Sequence, residues 1–151
     1  MVDMAGNYTP YYDDMTRTFS VGEIPEEAHC AHQLSINMHN EFMKFLKPGV
    51  ACSDVYNMAM EMVVDNKMEE YFMGTTQQAK FIGHGVGLEI NEPPVFAPRS
   101  REILQTGMAI ALEPKFVLPG IGAVGIENTY FVTDAGLEKV TVYEEEIVVL
   151  Q

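Results

Sequence analysis

Four carboxylates and one histidine form the set in this chain best able to hold metal ions. Asp3 and Asp14 flank the turn-forming segment Asn7–Pro10, and Glu113 and Glu127 flank the turn Pro119-Gly120, each pair with its turn midway. If those turns centre two β-hairpins, each acidic pair is directly opposed, with Cβ atoms about 4.5–5.5 Å apart. Like charges so placed destabilise a hairpin unless cations offset them. His84 adds a nitrogen donor, and its neighbours Gly83 and Gly85 are expected to let backbone and substrate approach the imidazole. Two divalent ions would balance four acids, and two-metal hydrolytic sites hold their ions about 3.5–4 Å apart. Carboxylate and imidazole donors suit Mn, Co, Fe or Zn better than copper. Asp13 would face the other side of its strand and is read as a solvated or outer acid.

Elements able to position these residues follow from the pattern of the chain. Residues 2–8 and 11–20 read as a hairpin, with β-formers Tyr11, Tyr12, Thr16, Thr18 and Phe19. Pro25 followed by Glu26 and Glu27 predicts a helix start, since proline suits the first turn and acids suit the positive dipole end. Leu34, Met38, Phe42 and Phe45 give that helix one apolar face, and Lys47-Pro48-Gly49 ends it. Ser53 is the expected N-cap of a second helix running to about Phe72, with Val55, Met58 and Met62 at helical spacing. Its methionines, with Met60 and Met68, read as core filler. Residues 108–118, 122–133 and 138–149 read as strands, with Glu144–Glu146 a solvated strand edge. A hairpin, two helices and then strands predict an α+β domain, an antiparallel sheet with two helices on one face.

Composition narrows the partners. The chain has 151 residues and a formal net charge of −13, which argues against nucleic acid or an anionic membrane as partner. No apolar run approaches membrane length, and a cytoplasmic location is expected. Cys30 and Cys52 are expected to be buried, reduced thiols. His29 and His32, one turn apart and close after Glu26, read as a solvated helix face, and His39 has no evident partner. Arg17 is expected to tie the hairpin to nearby carboxylates. Arg99 and Arg101 read as loop residues that could attract a peptide carboxylate, and Lys80 has no assigned role.

The motifs carry a resemblance. Asp14-Met15-Thr16-Arg17-Thr18-Phe19 resembles the Asp-x-Thr-Arg-Thr-Phe signature of the pita-bread metallopeptidases, the Xaa-Pro dipeptidases (prolidases), aminopeptidases P and methionine aminopeptidases. Asp3 stands where that family has its first aspartate ligand. Gly83-His84-Gly85-Val86-Gly87-Leu88-Glu89 is similar to its histidine motif, Gly107-Met108 through Glu113-Pro114 to its first glutamate strand, and Gly125-Ile126-Glu127-Asn128-Thr129 to its last. Glu89-Ile90-Asn91-Glu92-Pro93-Pro94 and the short spacing between the two glutamates fit the Xaa-Pro branch best.

The resemblance implies a dinuclear site: Asp14 and Glu127 bridging, Asp3 on one ion, His84 with Glu113 on the other. It implies a water made nucleophilic by two metals, attack on a peptide carbonyl, and Glu113 as proton shuttle to the leaving amine. Peptides are the implied substrates. Where the family commonly has a histidine that helps stabilise the intermediate, this chain has Asn91, which can donate a hydrogen bond but not act as an acid. By the same resemblance the chain supplies the closing hairpin of the first half of the catalytic domain and the whole second half. Residues 1–151 are therefore expected to be a C-terminal portion that self-associates or pairs with a missing N-terminal half. The competing expectations are a catalytically inactive binding module of the same fold, and an assembly fragment with vestigial metal binding.

Overall fold

The computed structural model describes residues 1–150. Strands β1 (Val2–Tyr8) and β2 (Tyr11–Arg17) form the opening hairpin, and β3 (Phe19–Val21) continues it. Two helices follow, α1 (Glu26–Phe45) and α2 (Cys52–Asp65). The remaining strands are β4 (Gly83–Gly85), β5 (Glu92–Val95), β6 (Ala109–Leu112), β7 (Lys115–Leu118), β8 (Gly122–Gly125), β9 (Asn128–Thr133), β10 (Gly136–Lys139) and β11 (Val148–Leu150). The main sheet is antiparallel and five-stranded, in the order β10-β9-β6-β4-β5, while β7 pairs β8 and β11 pairs β3 in parallel.

Helix α1 begins as its sequence dictates, with extended Pro25 at the N-cap and Glu26 and Glu27 in the first turn. Its buried stripe is Ala31, Leu34, Ser35, Met38, His39 and Phe42; Phe45, expected on that face, is exposed. Helix α2 starts at Cys52, one residue before Ser53, with Ala51 and not Ser53 at the N-cap. It stops at Asp65 rather than near Phe72, because Lys67 takes a left-handed conformation (φ 57°) that no helix can continue.

The two faces of the sheet divide the labour. Directly paired residues share a face, so Gly85, Ile110 and Tyr130 form one row and His84, Ala111 and Thr129 the next, on the opposite face. Ile110, Leu112, Tyr130 and Val132 join Leu34, Met38, Phe42, Val55, Ala59 and Val63 in the helix-covered core. Each Val, Leu, Ile, Met or Phe among them, once buried, contributes about 1.5–3 kcal/mol. Met58, Met60, Met62 and Met68 pack at the margin of that core, as gap-fillers. His84 therefore points away from the helices.

The expected strand 138–149 is not one element: β10 ends at Lys139 and β11 begins at Val148, and Glu144–Glu146 lie between them. Glu145 is half-buried there, bonded to Asn128 and Lys139. Cys52 is buried, with its thiol pushed up to about 12 by burial, but Cys30 is exposed on α1. No helix among the described residues is long and apolar enough to cross a membrane.

Candidate metal centre

The carboxylates reach the site along two hairpins whose registers differ from each other in an informative way. In β1–β2 the pairing runs Asp3 with Thr16 and Ala5 with Asp14, so the two aspartates are diagonal rather than directly opposed. The turn is tighter than expected, Tyr8 pairing Tyr11 around Thr9, which takes a left-handed φ of 60°. The slip is two residues, and a two-residue slip keeps every side chain on its original face. Asp3 remains beside Asp14, though exposed, and Asp13 points outward.

For the second pair, Leu112 pairs Asn128 and Lys115 pairs Gly125. One register holds on both sides, so Glu113 and Glu127 fall opposite each other where the ladder opens. Pro114 has no N–H to offer there, and helix α1 fills the gap. Ser35 Oγ donates to Pro114 O (2.6 Å) and accepts from Ile126 N (3.1 Å). One turn on, His39 Nε2 donates to Ile126 O (3.2 Å) and Nδ1 accepts from the Tyr130 hydroxyl (2.7 Å). Neither role was legible beforehand; His39, read as partnerless, has two partners. Arg17 is fully buried and donates to the carbonyls of Thr16 and Glu127 (2.8 Å each) and to Asn128 Oδ1 (2.8 Å), rather than to carboxylates. His32, expected on a solvated face, is buried, with Nε2 donating to Glu145 O (2.7 Å).

His84 sits at a bulge in β4. Its Nδ1 lies 2.9 Å from Gly85 O, and since a carbonyl only accepts, Nδ1 carries the proton and the lone pair of the neutral ring is on Nε2. That nitrogen faces three carboxylates at nearly equal range: Glu113 Oε1 at 3.7 Å, Asp14 Oδ2 at 3.8 Å and Glu127 Oε1 at 3.9 Å. All are too long for hydrogen bonds. Donors about 2.0–2.2 Å from a shared ion lie roughly 3–4 Å from one another, so the spacing suits a common cation. Ligand atoms of Asp14, His84 and Glu127 all fall within 4.8 Å of each other. Among the described residues, Asp14 Oδ1 is buried without a hydrogen-bond partner, with the Asp3 carboxylate close by. The flanking glycines have a plainer role than substrate access: a Cβ at Gly83 would strike Ala111 O, and one at Gly85 would strike Pro93 O.

Electrostatics agree with a cation-seeking site. Burial, followed by the charges of Asp3 and Glu113, pushes the Asp14 carboxyl up to about 7. Burial, followed by Glu113 and Asp14, pushes Glu127 up to about 8. Lys115 Nζ, absent from the expected set, lies 2.5 Å from Glu113 Oε2. Asn91 is exposed and lines a cavity of about 290 Å³ with Phe81, His84, Glu92, Pro93 and Val95, placing it beside the imidazole.

Residues 1–134 match metallopeptidase family M24, and the chain belongs to that family. It is 30% identical over 147 residues to the Xaa-Pro dipeptidase of Pyrococcus furiosus, covering 97% of this chain and 40% of that protein. The X-Pro aminopeptidase of Thermotoga maritima superposes with a TM-score of 0.88 at 27% identity, over 98% of this chain and 40% of that one. A dipeptidase structure from Pyrococcus horikoshii gives the same TM-score at 29% identity and the same coverage. The fold is thus the expected partial pita-bread arrangement, and the chain spans well under half the length of these relatives.

Proposed function

We propose that this chain carries the metal-binding machinery of an Xaa-Pro-type exopeptidase and corresponds to the C-terminal portion of its relatives' catalytic domain. The observation that carries this reading is the convergence of an imidazole lone pair and three carboxylate oxygens at 3.7–3.9 Å without a hydrogen bond between them. Asp14, His84, Glu113 and Glu127 would hold two divalent ions, with Asp3 joining from the hairpin edge. Bound there, the ions would make water nucleophilic at neutral pH and polarise the scissile carbonyl.

The chain's own residues supply the rest. Glu113, with one oxygen turned toward the centre, is placed to take a proton from the attacking water and return it to the leaving amine. His84 is held in one tautomer by Gly85 O. Asn91 can donate to a substrate oxygen in the cavity it shares with His84. The apolar wall of Phe81, Pro93 and Val95 fits a peptide bearing a proline ring.

Nearly all of β1 is exposed, and Tyr8 (89%), Tyr11 (62%) and Val2 (46%) leave an apolar surface that the remainder of a longer chain or a second copy would cover. The test is metal analysis with hydrolysis of Xaa-Pro dipeptides, with and without Mn²⁺ or Co²⁺. Two bound ions with turnover is the expected result for a complete site. Two ions without turnover would mark this chain as an incomplete enzyme, and no bound metal would overturn the reading.

A further inference from the structure

The hairpin β1–β2 and the five-stranded sheet are separate ladders, and Asp14 and Glu127 lie on opposite sides of the seam between them. Across it the chain keeps one antiparallel register: Asp14 beside Thr129, Thr16 beside Glu127, Thr18 beside Gly125. In a regular ladder every second row exchanges both backbone bonds, so all three rows would do so. Only the middle row does, with Thr16 N to Glu127 O at 3.3 Å and Glu127 N to Thr16 O at 3.1 Å.

In the outer rows a threonine hydroxyl replaces the missing backbone partner. Thr129 Oγ1 accepts from Asp14 N (3.0 Å) and donates to Asp14 O (2.8 Å). Thr18 Oγ1 accepts from Gly125 N (3.2 Å) and donates to Gly125 O (2.8 Å). The middle threonine, its backbone already paired, turns its hydroxyl on the ligand: Thr16 Oγ1 donates to Glu127 Oε2 at 2.7 Å. That leaves Oε1 as the oxygen that faces His84. Each acid of the pair is therefore gripped by the threonine two residues beyond the other, Thr16 after Asp14 holding Glu127, and Thr129 after Glu127 holding Asp14.

We infer that Thr16 and Thr129 are positioning residues that fix the spacing and orientation of Asp14 and Glu127 across the seam, and thereby set the cation affinity of the centre. The inference rests on the metal reading above, and its test separates the two.

Co²⁺ is the probe, because its visible absorption reports ligand geometry independently of turnover. Thr16→Val keeps the shape and removes the hydroxyl, while Thr16→Ser keeps the hydroxyl. Thr16→Val should bind Co²⁺ roughly 10–100-fold more weakly than the parent, with an altered absorption spectrum. Thr16→Ser should restore both to near-parent values. Parent-like affinity and spectrum in Thr16→Val would overturn the inference alone. So would a folded Thr16→Ser that binds Co²⁺ as weakly as Glu127→Gln, whether or not Thr16→Val folds, as judged by circular dichroism. A parent chain that takes up no Co²⁺ would overturn the metal reading and this inference with it.

Discussion

Lys115 and His84 divide one carboxylate between them: Lys115 Nζ sits 2.5 Å from Glu113 Oε2, while Oε1 of the same group faces His84 Nε2 at 3.7 Å. The ammonium answers part of the site's negative charge before any metal arrives, and it repels an incoming cation. Lys115→Met should therefore tighten Mn²⁺ binding by about tenfold, equivalent to about 1.4 kcal/mol. Isothermal titration calorimetry would show it, and an unchanged or weaker affinity would refute the competition.

The raised carboxyls predict an unusual pH response. Asp14 at about 7 and Glu127 at about 8 are both above their unfolded values, so the folded chain binds more protons than the unfolded one between roughly pH 4 and 8. Their contribution to stability is fully present below that window and falls as pH rises through it. Metal binding favours the ionised forms, so stabilisation by Mn²⁺ should grow over the same range. Melting curves at pH 5.5 and 8, with and without Mn²⁺, would check both slopes.

Removing one acid should trade metal for stability. In Glu127→Gln the amide oxygen can still accept from Thr16, but the buried charge is gone. The metal-free variant should be more stable than the parent at pH 8 by about 2 kcal/mol, roughly 4–8 °C in Tm, while losing Mn²⁺ affinity at least about 100-fold. A variant less stable than the parent would show that the acids do not repel as argued.

His39 titrates in the opposite sense. Burial lowers it to about 4, since the charged ring would be cut off from solvent, and the Ile126 carbonyl offsets only part of that penalty. Between about pH 6.5 and 4 the unfolded chain binds the extra proton, so this part of the stability is lost as pH falls, amounting to about 3 kcal/mol. Chemical denaturation of the parent and His39→Gln at pH 7 and 4.5 would resolve it. The variant should lose less stability on acidification.

Local patterns foretold the fold where one interaction dominates. Glu26 and Glu27 after Pro25 start α1, and the Pro119-Gly120 turn carries Glu113 and Glu127 to one register. They misled where a neighbour could replace the expected feature. The Asn7–Pro10 signal hid a tighter turn, but parity preserved the face of Asp3. Ser53 could not cap a helix already begun at Cys52. The roles of Ser35, His39 and Thr129 were hidden because their partners, Pro114, Ile126, Tyr130 and Asp14, lie far away in the chain, and only folding reveals which stretches meet. Lys115 lies two residues from Glu113, yet strand alternation alone does not say that its ammonium turns back to that acid. The spacing Asp14-x-Thr16 and Glu127-x-Thr129 was a signal in plain view, one hydroxyl two places beyond each acid.

The parallel pairing of β11 with β3 gives the end of the chain a hold on the centre without touching it. Val148 N donates to Thr18 O (3.0 Å), and Arg17 Nη2 reaches Tyr143 O (3.4 Å), so the tail works as a latch behind the Asp14 strand. Trimming the chain back to residue 142 would leave Asp3, Asp14, His84, Glu113 and Glu127 in the chain, yet it would unfasten the strand that presents Asp14. Sensitivity to proteolysis at the tail and loss of metal would then become one event.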